Sequence, residues 1–323
     1  MSLALINYFP DTTSVPFIRV RFAAFALSAV MLMASIGAFF SMGLNFGIDF
    51  TGGVTLEVQT EDEIDAARVD EMRTLLNGLG LGAIEIQGLN ELTEGSACYG
   101  NHCALIRVQP QEGEGLEAEV AQNQANRAVQ DALSAQYPTI EYRSVQVLGP
   151  KVSGELVQAG VLSIVVALFL MLIYIWFRFE WQYSVGAVLA LVHDVIITIG
   201  MFSVTQLEFN LSTIAAILTI VGYSMNDTVV VYDRIREELR KFKKEPLASV
   251  LNMAINKTLS RTILTSFTTL VALFSLWLLG GAALQGFAFA MIFGIVIGTY
   301  SSIFIAAPLL LVTKVKRDAV AEA

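Results

Sequence analysis

Residues 211–231 read LSTIAAILTIVGYSMNDTVVV, a run of 21 residues in which one carboxylate, Asp227, stands among mostly aliphatic and small neighbours. A helix rises about 1.5 Å per residue, so a run of this length crosses a hydrocarbon layer of about 30 Å. A charged side chain within such a span costs a few kcal/mol even on lenient insertion scales, so it needs partners or a purpose.

Five further runs have comparable length and apolarity: residues 22–42, 156–177, 184–206, 262–279 and 287–312. The chain has 323 residues, 55% of them hydrophobic and 15% charged, with a mean hydropathy of +0.62. These values exclude a soluble globule and predict a polytopic α-helical membrane protein with six transmembrane helices. The first run has full spanning length and no small-residue cleavage site after it, so it reads as an uncleaved anchor rather than a signal peptide. The last is long enough to tilt.

Short loops rich in Lys and Arg stay in the cytoplasm. Arg19 and Arg21 precede the first span, Arg178 separates the second from the third, and residues 234–257 hold seven basic side chains between the fourth and fifth. Lys314, Lys316 and Arg317 close the chain, whereas loops 205–210 and 280–286 contain no Lys or Arg. Both termini are therefore expected in the cytoplasm and residues 44–152 outside. The expected division is 1–43 for the N-terminus and first helix, 44–152 for an extracytoplasmic domain, 153–313 for helices two to six, and 314–323 for a cytoplasmic tail. The formal net charge of −9 resides in the outer segment, which has 17 acidic and 6 basic residues against 12 and 14 elsewhere. Nucleic acid is not an expected partner. For the basic stretch 234–244, phospholipid contact is the plain reading and partner docking the sharper one.

The outer segment reads as strand, helix, strand over 54–59, 62–79 and 83–88, and again over 104–109, 116–136 and 139–148. Alternating and 3.6-residue periodicities in this order predict a ferredoxin-like βαββαβ domain. Cys98 and Cys103 lie between its halves. In an oxidising compartment a loop-closing disulfide is the leading reading; two free thiols, or a metal site with His102, are the alternatives, and no metal is assigned.

Asp194 and His193 lie within the third span, Asn226 and Asp227 in the fourth, and Arg261 opens the fifth. Arg261, Thr265 and Thr268 or Thr269 share a helical face. An antiparallel fourth and fifth helix would let Asp227 approach Arg261. Burial and a neighbouring cation act oppositely on a carboxyl's affinity for protons, so such a pair suits proton uptake and release. Two plainer readings remain open: Arg261 as a helix-end residue snorkelling to the interface, and Asp194 with His193 as a structural polar cluster. Gly294, Gly298 and Ser302 recur every four residues in the sixth span and read as a packing stripe.

Residues 45–53, NFGIDFTGG, resemble the motif just outside the first helix of the SecD and SecF subunits of the bacterial protein-export machinery, with Gly47, Asp49, Thr51, Gly52 and Gly53 in its key positions. Residues 192–194 (VHD), 221–228 (VGYSMNDT), 232–237 (YDRIRE) and 260–266 (SRTILTS) resemble SecF in particular. The resemblance implies an RND-type half: six helices that combine with six from SecD. It also implies use of the proton motive force to assist preprotein translocation through SecYEG, with protons as coupling ion, no cofactor, and YajC and YidC as further candidate partners. By the same resemblance Asp227 is the protonatable carboxylate and Arg261 its partner. Asn226, Asp194, His193 and Thr265 complete the expected proton path, and the expected location is the bacterial inner membrane. Two alternatives stand beside it, a half-size RND exporter and a non-transporting scaffold. The chain has no P-loop, GxSxG or HExxH, so no enzymatic site is expected.

Overall fold

The computed structural model describes residues 13–89, 98, 102–111, 116–280, 282–313 and 315. Residues 1–12 and, apart from Val315, the predicted tail 314–323 lie outside the described residues. A 3-10 turn, Phe17–Val20, leads into α1 (Arg21–Met42), and a single helical turn, α2 (Ile48–Thr51), follows it. Then come β1 (Gly53–Gln59), α3 (Ala66–Asn77), β2 (Ile84–Leu89), β3 (Cys103–Val108), α4 (Leu116–Gln136) and β4 (Glu141–Leu148). The remaining spans are α5 (Pro150–Arg178), α6 (Trp181–Thr205), α7 (Leu211–Lys241) and α8 (Leu247–Leu279), followed by α9 (Ala282–Ser301), a π turn (Ser302–Ala306) and α10 (Ala307–Val312).

Among the described residues, six helical segments are long and apolar enough to cross a membrane. α6, α7 and α9 are buried over more than half of their apolar lengths, whereas α1, α5 and α8 keep most of theirs exposed. The centre is thus a three-helix unit flanked by lipid- or partner-facing helices. Small residues permit the close contacts: Gly294 of α9 abuts Ile220 of α7, Gly298 abuts Ser224, and Gly200 of α6 abuts Ser35 of α1.

The helices outrun the apolar segments. Residues 234–257 are not a loop as expected, because α7 continues to Lys241 and α8 starts at Leu247. Ion pairs one turn apart sustain the extension, with Glu237 accepting from Arg234 (2.6 Å) and Lys241 (2.6 Å). Lys257 of α8 donates to the fully buried Glu238 of α7 at 2.8 Å and ties the two extensions together. In the sixth span, Pro308 has no N–H to give the preceding turn, and the chain widens into the π turn immediately before it.

The sheet is fully antiparallel in the order β2-β3-β1-β4, which is the ferredoxin-like arrangement. Alternate residues of β1 and β3, among them Val54, Leu56, Val58, Ile106 and Val108, join Met72 and Leu76 of α3 and Val129 and Leu133 of α4 in one core. α3 begins four residues later than the periodicity implies, because the Asp65 carboxylate caps it by accepting from Arg68 N at 2.8 Å. α5 begins at Pro150, just inside the expected domain boundary, since proline suits the first helical turn. Cys98 and Cys103 are joined by a disulfide with their Cα atoms 5.0 Å apart.

Leu56 is fully buried at the centre of the sheet. Leu56→Ala should cost about 2–5 kcal/mol, measured as earlier thermal unfolding and faster proteolysis within residues 53–148, with the membrane helices still protected.

Candidate functional site

Besides Glu238 in the extension of α7, two carboxylates are buried within the apolar spans among the described residues. Asp194 of α6 is 1% exposed and Asp227 of α7 is 7% exposed, so both are withdrawn from solvent and must be satisfied internally. Asp194 Oδ1 lies 2.9 Å from His193 Nδ1, and its Oδ2 accepts from Ser224 Oγ and Ser301 Oγ, each at 2.7 Å. Asp227 Oδ1 accepts from Thr262 Oγ1 at 2.7 Å, and its Oδ2 from Ser302 Oγ at 2.5 Å. Adjacent residues on a helix point about 100° apart. The neighbours Ser301 and Ser302 therefore serve different acids, and α9 with its π turn becomes the post between α6 and α7. The His193 ring stacks on Tyr300 with centroids 6.2 Å apart.

The expected contact pair of Asp227 and Arg261 is absent. Arg261 is exposed, and among the described residues its side chain makes no ion pair or hydrogen bond, although its charge acts on Asp227 through space. The reason is again angular: Thr262 faces α7, which turns Arg261 outward. Asn226, beside Asp227, is turned outward in the same way. Thr265 is exposed too, and its hydroxyl donates to the carbonyls of Arg261 and Thr262 at 3.0 Å each. Thr268 likewise bonds its own helix. On this face the threonine hydroxyls bond the preceding turn, as threonine commonly does in a helix. Thr269 departs from this only in accepting from Tyr223 Oη at 3.4 Å.

Four hydroxyls that bind the acids, Ser224, Thr262, Ser301 and Ser302, were not legible as ligands. Ser302 corrects the reading of its stripe: Gly294 and Gly298 pack, while Ser302 holds Asp227.

A second constellation joins the sheet domain to α7. Gly47 N donates to Phe209 O at 2.9 Å and Phe209 N to Asn45 O at 2.7 Å, a parallel bridge between residues 45–47 and the loop entering α7. Asp49 Oδ2 accepts from the backbone N–H of Leu211, the first residue of α7, at 2.9 Å. Here a carboxylate meets free N–H groups and the positive end of the helix dipole. Thr51 donates to Gly47 O, and Phe46, Phe50 and Phe209 close the joint with mutual ring contacts. Gly53 has φ +110°, and a Cβ there would strike Val108 O, so β1 starts here only with glycine. Arg107 of β3 forms an ion pair with Glu208 in the same joint.

Residues 128–316 match the model of the protein export membrane protein SecD/SecF C-terminal family, and residues 37–64 match the SecD/SecF GG motif. The chain belongs to the SecD/SecF family. Within it, the SecF subunit of the protein translocase of Rhodobacter capsulatus is 46% identical over 312 residues, covering 96% of this chain and 92% of that one. The SecF subunit from Cereibacter sphaeroides is 43% identical over 95% of this chain and 92% of its own. The crystal structure of SecDF, a translocon-associated membrane protein from Thermus thermophilus, superposes with a TM-score of 0.81 at 32% identity. That match covers 95% of this chain but 40% of the SecDF chain. SecF membership and six apolar helices make this a multi-pass inner-membrane protein of RND type.

Combining Thr262→Val with Ser302→Ala removes both donors from a buried carboxylate. The expected loss is about 2–6 kcal/mol, at 1–3 kcal/mol per donor, read as a lower unfolding midpoint in detergent. Thr265→Val, which touches only its own helix, should change that midpoint little.

Proposed function

We propose that this chain is the SecF-type subunit of a bacterial protein translocase. It pairs with a SecD-type subunit beside the SecYEG channel and converts proton entry into movement of its sheet domain, assisting preproteins as they emerge. Protons are the coupling ion and no cofactor takes part; YajC and YidC are further candidate neighbours. In this reading both termini are cytoplasmic and residues 44–152 periplasmic, supported by the basic residues at the opposite end of the helices from the sheet domain. The chain is a transport subunit rather than an enzyme.

The observation that carries the reading is Asp227, a carboxylate buried in a membrane span and held by two hydroxyls. A hydroxyl donates to a carboxylate and accepts from a carboxylic acid, so Thr262 and Ser302 serve both protonation states without leaving their places. A guanidinium in contact would serve the charged form alone. Moving one charge through 100 mV supplies about 2.3 kcal/mol, enough to bias a two-state element about fifty-fold. α7 carries that bias outward, because Asp49, Gly47 and Phe209 tie its first turn to the strand entering the sheet domain. Asn226, Arg261 and Thr265 face outward from α7 and α8. A charge facing lipid is costly, which supports a protein partner on that face. The solved SecDF relative, whose single chain is more than twice as long, supports a SecD-type half as that partner.

In inverted membrane vesicles containing the assembled complex, Asp227→Asn should reduce proton-dependent preprotein export at least tenfold. Unimpaired export from a correctly assembled complex rejects the assignment, and full activity of the double variant Asp227→Ala with Arg261→Ala makes the chain a scaffold. Asp49→Ala should leave Asp227 able to exchange its proton while export falls several-fold, measured by pairing carboxyl infrared difference spectra with the export assay.

A further inference from the structure

At the end of the helical unit away from the sheet domain, the link between α5 and α6 turns one carboxylate oxygen of the half-buried Glu180 inward. Phe179 lies between two guanidinium groups, with Arg178 at 5.0 Å and Arg236 at 5.4 Å from its ring centroid. It also packs on Tyr183 at 5.7 Å and Tyr232 at 6.1 Å. Those two tyrosines are fully buried, with ring centroids 5.1 Å apart. Tyr232 Oη donates to Ala306 O at 3.1 Å, at the end of the π turn whose first residue, Ser302, holds Asp227. Gly186 leaves the room this requires, since a Cβ there would meet Tyr232 Oη. The π turn thus joins Ser302, which holds Asp227, to Tyr232, which packs on Phe179 of the α5–α6 link.

Four polar atoms gather at that end: Glu180 Oε1, Gln182 Oε1, Tyr183 Oη and Arg236 Nε are buried and have no hydrogen-bond partner among the described residues. Buried polar groups are generally bonded, so several unpaired ones at one end of the bundle call for an explanation. From Asp227 to Arg236 is nine residues along α7, about 14 Å, a distance that about four hydroxyls or waters span at ordinary hydrogen-bond spacing. Arg236 from α7 and Tyr183 from α6 are the ionisable groups set against Glu180, while Arg178 of α5 is engaged by Asp233 at 3.2 Å.

We propose that Glu180 is the proton-release carboxyl of this subunit, receiving the proton from Asp227 past Tyr232 and Tyr183 and passing it to water at the face opposite the sheet domain. In each turnover the O–H bond of protonated Asp227 breaks, the Glu180 carboxylate gains a proton, and water takes that proton, leaving both acids ionised. Burial shifts the Glu180 carboxyl upward from its ordinary value and Arg236 opposes the shift, which suits a group that holds a proton only transiently. The inference rests on Asp227 as the proton carrier, and its test separates the two.

The test uses the assembled complex in vesicles with an internal pH dye. Glu180→Gln keeps the hydrogen bonds the structure gives residue 180, because Tyr183 N, Ser184 N and Ser184 Oγ all donate to its backbone carbonyl. The expected result is proton flux slowed at least tenfold, retained in Glu180→Asp, and restored to Glu180→Gln by azide as a small proton carrier. Asp227→Asn should abolish flux and should not respond to azide. Undiminished flux in Glu180→Gln overturns the exit role while leaving the carrier role of Asp227 intact. Slowed flux without azide rescue also overturns it, making the residue structural. Persistent flux in Asp227→Asn removes the carrier and this proposal with it.

Discussion

The structure depends on the need to satisfy Asp194 and Asp227 inside a low-dielectric helix bundle, and it meets that need chiefly with hydroxyls. Ser224, Ser301, Ser302 and Thr262 supply four donors to two acids, and they come from three helices. Each bond crosses between helices, so the same contacts that satisfy the acids also join α6, α7, α8 and α9. A substitution at either carboxylate therefore also removes contacts between helices.

The position of α9 follows from this. Gly294 and Gly298 bring its backbone against α7, and the following residues turn hydroxyls to both sides. The π turn comes where the hydroxyls end and Pro308 approaches, so the least regular part of the span adjoins the Asp227 ligand. Helical irregularity within lipid persists where neighbouring helices cover the freed backbone groups, and here Tyr232 bonds the carbonyl of Ala306.

α7 is the longest-range connector. Its first turn is held by Asp49 and by its own capping box at Asn210, its middle carries Asp227, and its last turns pass beyond the apolar segment on Glu237 and Glu238 ion pairs. Sheet domain, carboxylate and far face are thus arranged along one helix. The three aromatic rings at the joint and the Arg107–Glu208 pair fasten the sheet domain to its start.

The sequence by itself determined the six spans, the ferredoxin-like order of the outer domain and the residue types that had to matter, because apolar length, periodicity and a charge within lipid are properties of local sequence. It also carried the family, since residues 45–53 and 221–228 are contiguous signatures. What it could not decide was which way neighbours on a helix face. Arg261 and Thr262 are adjacent, and only packing against α7 turned the threonine in and the arginine out; Asn226 and Asp227 divide in the same way. Hydroxyls are equally ambiguous in sequence, because Thr265 bonding its own turn and Ser302 bonding a distant acid differ only in what lies opposite them. Contacts between helices far apart in the chain are set by three-dimensional packing, and for that reason tertiary structure alone chose the ligands of Asp227.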